Sequence, residues 1–201
     1  MRLKNSFCLA NEYIKPQECD RLIKFCDRLP AKEAGTAKGT DPSGLKRRSS
    51  IAWFEDTPNH KWIYDRVSLC VKTANEQYWH WTVNDNEPLQ YTTYGSGQYY
   101  GWHTDASHTP YPKASPWAGM VRKISVTVQL SHPHEYEGGD FLLEDTRTSP
   151  DRAEDRIKTL SDAKNRGTVI MFPSHLFHQV TPVTRGTRRS LVGWYLGPQF
   201  Q

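Results

Sequence analysis

Lys123–Ser131 constrains this chain more than any other stretch, because Ile124, Val126, Val128 and Leu130 alternate there with Ser125, Thr127 and Gln129. Period-two alternation sends the two sets to opposite sides of an extended strand, so the run predicts a β-strand with one apolar and one polar face. Short β-rich runs bounded by turn residues recur at 49–54, 89–94, 98–104, 140–144, 168–172, 178–183 and 187–196. Together they predict an antiparallel double sheet or barrel. Two helices are expected to brace it. Residues 16–28 place Cys19, Leu22, Ile23 and Cys26 at helical spacing behind Pro16. Pro58 to Gln77 carries a stripe of Trp62, Ile63, Val67, Cys70, Val71 and Ala74, with Asp56 or Thr57 placed to cap it. The expected class is mainly β with flanking helices (α+β). Residues 1–201 are read as one domain, in which 1–88 supply helical support and N-terminal strands and 89–201 the core.

Composition narrows the function classes. No apolar run approaches the eighteen or so residues of a membrane span, and the N-terminal stretch lacks a signal-peptide pattern, so a soluble, cytoplasmic protein is expected. Cys8, Cys19, Cys26 and Cys70 form no CxxC pair, which argues against a disulfide framework or a zinc-thiolate site. The net charge of +4 is too small for a dedicated nucleic-acid binder. Seven Trp and ten Tyr supply rigid surfaces suited to lining a cleft.

His103-Thr104-Asp105 opens the chemistry, since residues two apart on a strand share a face and both side chains could ligate one metal. His178 offers a third ligand after the strand at 168–172, and Arg188 follows ten residues later. A three-residue hairpin turn through Thr184-Arg185-Gly186 would put Arg188 and Ser190 on the face of His178, with Arg188 about 13 Å along the strand. That separation suits a small diacid held between the metal and a guanidinium. A two-residue turn would select Arg189 instead. Two His and one carboxylate leave three positions open on an octahedral metal, the facial-triad arrangement of non-haem Fe(II) oxygenases.

Residues 89–200 resemble the Fe(II)- and 2-oxoglutarate-dependent oxygenases, in particular their prolyl 4-hydroxylase-like group. The resemblance rests on Tyr94, His103-Thr-Asp105, Gly138-Gly139-Asp140, His178-Gln-Val-Thr-Pro-Val and Gly186-Thr-Arg188-Arg-Ser190, all in order. It implies a double-stranded β-helix, or jelly roll. It also implies Fe(II) on His103, Asp105 and His178, and 2-oxoglutarate with its distal carboxylate on Arg188. Tyr94 is the implied hydrogen-bond donor to the cosubstrate, with Tyr91 and Tyr100 competing, and Ser190 a second contact. O2 is the oxidant, with ascorbate a candidate accessory reductant. The implied reaction hydroxylates a C–H bond of a peptidyl residue or small molecule, because the carboxylate of Asp105 occupies the position that halogenating relatives vacate. Nucleic-acid demethylation and a non-catalytic, cupin-like metal-binding role are the alternative readings.

The remaining candidates are read conservatively. Gln129 is a secondary candidate for the cosubstrate pocket, and Gly138 and Gly139 are turn geometry. His175 is a non-ligand, and His108, His132 and His134 are solvated loop residues. Trp102 is read as packing, and Lys46, Arg47 and Arg48 as a solvated face. Residues 145–166 are read as a solvated insertion, and the loops at 31–48 and 106–121 as mobile lids over the barrel mouth.

Overall fold

The computed structural model describes residues 5–34, 46–107, 109–146 and 155–200. In chain order its strands are β1 (Cys8–Ala10), β2 (Lys32–Glu33), β3 (Arg47–Arg48), β4 (Ser50–Phe54), β5 (Asp85–Asn86), β6 (Leu89–Tyr94), β7 (Tyr99–His103), β8 (Met120–Gln129), β9 (Tyr136–Gly138), β10 (Phe141–Glu144), β11 (Ile157–Thr159), β12 (Val169–Pro173), β13 (His178–Val180), β14 (Val183–Gly186) and β15 (Arg188–Pro198). The helices are α1 (Pro16–Cys26) and α2 (Lys61–Ala74). The larger sheet runs β1-β12-β8-β15-β6-β4-β2, with β5 also on β15, and the smaller runs β11-β10-β13-β7-β3. The pair β14-β9 forms a separate two-stranded sheet.

The alternation in β8 explains how the layers stack. Its apolar set, Ile124, Val126, Val128 and Leu130, packs with Leu22 and Cys26 of α1 and Ile63, Val67 and Val71 of α2. Its polar set, Ser125, Thr127 and Gln129, is also buried, because it faces the space between the two sheets. Part of that space is filled by Phe141, Leu143, Ile170 and Phe172. Another part is a small cavity walled by both polar and apolar side chains.

Several expectations are corrected. Pro16 stands at the first turn of α1 as expected, but the helix stops at Cys26. The second helix begins at Lys61 rather than Pro58, and neither Asp56 nor Thr57 caps it with a side chain. The Thr57 hydroxyl is spent on His60 Nδ1 (2.9 Å), while its carbonyl accepts from the amides of His60 and Lys61. Residues 75–79 continue α2 as a π-helical turn that buries Trp79. Of the expected insertion at 145–166, residues 147–154 lie outside the described residues; the rest is partly structural, with β11 paired to β10 and Leu160 and Ala163 buried. In the 106–121 loop the Tyr111 hydroxyl donates to Glu87 (2.6 Å) and the Tyr111 amide to the Met120 carbonyl. Of the 31–48 loop, residues 35–45 lie outside the described residues; its ends form β2 and β3.

The hairpin between the His178 and Arg188 strands does not form. β13 pairs with β10 and β7, β14 with β9, and β15 with β6 and β8, so the chain crosses between layers where a hairpin was expected. Gly186 is left-handed (φ 76°), as the turn reading required. It serves close approach to the segment before β9: a Cβ there would lie 2.0 Å from the Glu135 carbonyl oxygen.

Candidate metal and cosubstrate site

His178 lies directly opposite His103 in the β13–β7 ladder, with ring centroids 4.1 Å apart. Asp105 lies beyond the end of β7, so strand parity does not aim its side chain. Its position comes from the Ser174 carbonyl, which accepts the amides of Asp105 and Ala106, and from the Ser125 hydroxyl, which donates to Oδ2 (2.7 Å). The result brings one donor atom from each of the three residues within 4.8 Å of the others. His103 Nε2 is 3.6 Å from Asp105 Oδ1, and His178 Nε2 is 3.5 Å from Oδ2.

The second-layer contacts aim the imidazoles. Nδ1 of His103 faces the Gly101 carbonyl (2.8 Å) and Nδ1 of His178 the Leu176 carbonyl (3.0 Å). A carbonyl only accepts, so each Nδ1 carries a proton and each Nε2 is the ring atom turned toward Asp105. Burial, helped by the neighbouring His178, lowers the His103 pKa to about 3 and keeps the ring neutral. Burial by itself would raise the Asp105 carboxyl, but the two imidazoles, Arg122 and the Ser125 hydroxyl outweigh it and hold the pKa at about 2. Two imidazole nitrogens and one carboxylate are the donor set a divalent first-row metal takes.

Arg188 lies on the other wall. It is 2% exposed, and its hydrogen bond is to Ser190 Oγ at 3.4 Å, with its guanidinium 5.7 Å from the Tyr94 ring. No carboxylate among the described residues pairs with it. A buried cation lacking a counter-charge is costly, which fits a site built for an anionic ligand. Tyr94 pairs with Arg188 across β6 and β15, and Ser190 lies two residues along; all three line the same cavity as the triad. Gln129 pairs with Ser190 but lies outside the cavity wall, its amide engaged by the Ser131 carbonyl and the Tyr136 hydroxyl.

Other readings change. Arg47, expected on a solvated face, is buried in the cavity wall, donates to Ser49 Oγ and Gln90 Oε1, and lies over the Tyr100 ring. Tyr100 in turn stacks on His103, with centroids 3.4 Å apart and planes at 10°. The charge run gave no signal for this, because β3 pairs with β7 of the smaller sheet while β4, just after it, pairs with β6 of the larger. Trp102, expected to pack, is 42% exposed. Trp194 also lines the cavity and carries Arg122 over its ring at 4.0 Å. His175 packs near Trp81 and Phe200, away from the triad. His132 and His134 are exposed and stacked on each other, and His108 lies outside the described residues.

Residues 89–196 match the family model of the 2OG-Fe(II) oxygenase superfamily. A PKHD-type hydroxylase of Pseudoalteromonas atlantica is 35% identical over 108 residues, 53% of this chain and 42% of that protein. One from Azoarcus is 38% identical over 95 residues, 47% of this chain and 36% of that protein. The chain thus spans about two-fifths of the length of the curated relatives it matches. A Pseudomonas putida prolyl-4-hydroxylase superposes with a TM-score of 0.70 at 18% identity, covering 96% of this chain and 93% of that one. A Trichoplax adhaerens prolyl hydroxylase, solved with a hypoxia inducible factor peptide fragment, gives 0.69 at 18% identity, covering 96% and 84%. These likenesses establish the jelly-roll fold.

Proposed function

This chain belongs to the 2OG-Fe(II) oxygenase superfamily, and from that premise we propose that it is a prolyl 4-hydroxylase-like dioxygenase that hydroxylates a C–H bond of a peptidyl residue. The family implies Fe(II), 2-oxoglutarate and O2. The observation that carries the reading is the pairing, in one cavity, of the His103–Asp105–His178 cluster with a buried Arg188 that has no carboxylate partner among the described residues.

His103, Asp105 and His178 would hold the metal, which when bound supplies the oxidative decarboxylation of 2-oxoglutarate to succinate and CO2 and the delivery of one oxygen atom to the substrate. Gly101 and Leu176 fix the imidazole tautomers, and Ser125 keeps the Asp105 carboxylate turned inward. Arg188 and Ser190 would take the distal carboxylate, with Tyr94 beside them. Phe141, Val180 and Val192 line the cavity with apolar surface. Ascorbate is the candidate accessory reductant. A cytoplasmic setting fits four unpaired cysteines, three of them buried. No helix among the described residues is long and apolar enough to cross a membrane.

The test is anaerobic titration with Fe(II), followed by succinate release in air with proline-containing peptides. One ion per chain and succinate formation are expected, with both lost in His103→Ala, Asp105→Ala and His178→Ala. Near wild-type binding and turnover in any one of these variants would overturn the assignment.

A further inference from the structure

The larger sheet is laid out in rows, because paired residues on neighbouring strands project to the same side. One row runs Trp53 on β4, Gln90 on β6, Val192 on β15 and Thr127 on β8. The last three line the cavity. Trp53 therefore projects from the inner, cavity-facing side of the sheet, yet it is 36% exposed. Its ring lies 5.7 Å from that of Trp194, at 36°, and Trp194 is itself cavity wall. The indoles thus make a step leading from the cavity to solvent.

The cavity holds little. The space open to the centre of a water molecule is about 40 Å³, roughly three waters at 10–15 Å³ each. A small diacid and its metal would use all of that space and more. A second molecule swallowed whole does not fit, so the body of the substrate must lie outside, on whatever surface continues from the wall.

We infer that Trp53 is a specificity-determining residue, on which an extended polypeptide substrate lays a ring or apolar side chain two residues from the one entering the cavity past Trp194. The inference deepens the peptidyl-hydroxylase reading and rests on it. The spacing selects the position. In an extended chain, side chains on one side recur every second residue, about 6.7 Å apart, close to the 5.7 Å step between the indoles. In a polyproline helix they recur every third residue, about 9.3 Å apart, which overshoots it. An exposed indole face gains most from a ring or branched apolar group and little from an acid or glycine.

The experiment measures binding, not turnover. Fluorescein-labelled octapeptides with a central proline, carrying tyrosine, leucine, aspartate or glycine two residues before or after it, are titrated by anisotropy into protein loaded with Mn(II) and 2-oxoglutarate. Wild type is expected to favour tyrosine or leucine over glycine at one of those positions by about three- to tenfold, the size of one aromatic contact. Trp53→Ala should erase the preference, Trp53→Phe should keep most of it, and Trp102→Ala should leave the ranking as in wild type. An unchanged ranking in Trp53→Ala, or a wild-type preference confined to residues one or three away, would overturn the inference and leave the proposed function standing. Succinate formation with free small molecules but no peptide binding would overturn it too, with the family chemistry intact. No succinate with any substrate would remove both.

Discussion

Ser125 donates its hydroxyl to Oδ2 of Asp105 at 2.7 Å, and the two oxygens belong to residues that share no strand. The bond carries the aim of a carboxylate that lies past the end of β7. Ser125→Ala is expected to weaken Fe(II) or Mn(II) affinity about 10- to 100-fold, as removal of such an orienting partner does, with turnover recovering at saturating metal. Affinity within twofold of wild type would show that the Ser174 carbonyl contacts suffice.

Arg188 and Arg189 are adjacent in sequence but face opposite ways, Arg188 into the cavity and Arg189 toward Asp27 of the helical layer (3.7 Å). Arg188→Ala should raise the apparent KM for 2-oxoglutarate by roughly 30-fold or more, since losing one partner of a buried charged pair costs about 2–5 kcal/mol. Arg189→Ala should leave that KM near wild type. The reverse ranking in succinate-release assays would remove Arg188 as the anchor.

The metal-free protein should lose stability as pH falls below about 6.5. His103 titrates near 6.5 in the unfolded chain but at about 3 in the fold, so between those values the unfolded state holds a proton that the folded state does not. Stability then declines with acidification by up to about 1.4 kcal/mol per pH unit. Asp105, lowered from 3.8 to about 2, adds in the same direction below 3.8. Urea unfolding in chelator at pH 7, 6 and 5 measures the slope, and His103→Gln should flatten it. Equal slopes in the two proteins would contradict the buried neutral ring.

Gly186 and Gly97 form a matched pair, both at φ 76°, but a Cβ at Gly97 meets nothing within 4 Å while one at Gly186 meets the Glu135 carbonyl oxygen at 2.0 Å. Gly97→Ala should cost only the left-handed conformation, about 1 kcal/mol. Gly186→Ala should cost at least about 2 kcal/mol more, lowering Tm by several degrees further. Equal losses in thermal unfolding would mean that β9 and β14 separate without penalty.

Motif order was more legible in the sequence than strand pairing. Tyr94, the triad residues, Arg188 and Ser190 line one cavity, yet the hairpin that seemed to place Arg188 does not exist: the chain crosses the sandwich between His178 and Arg188. The order of these residues was recognisable while the register argument failed, because the pairing partners of β13 and β15 come from 35 to 102 residues away in β10, β7, β8 and β6. The alternation of β8 announced two faces without saying that the polar one is buried, since periodicity does not reveal what covers a face. Arg47 was misread for the same reason. A cation beside Lys46 and Arg48 looks solvated until β3 pairs with β7 and turns it inward.

The division of the site between layers has a mechanical consequence. His103 and His178 stand on the smaller sheet, while Arg188 stands on the larger. A diacid gripped at one end by the proposed metal and at the other by Arg188 would thus be a removable rivet through the sandwich. Sliding or parting of the two layers would have to shear it. Its effect should therefore spread beyond the cavity wall, slowing amide exchange in both sheets and adding about 2.7 kcal/mol of global stability at a hundredfold excess over its Kd. A monocarboxylate of equal charge density, gripped at one end only, would fasten neither sheet to the other.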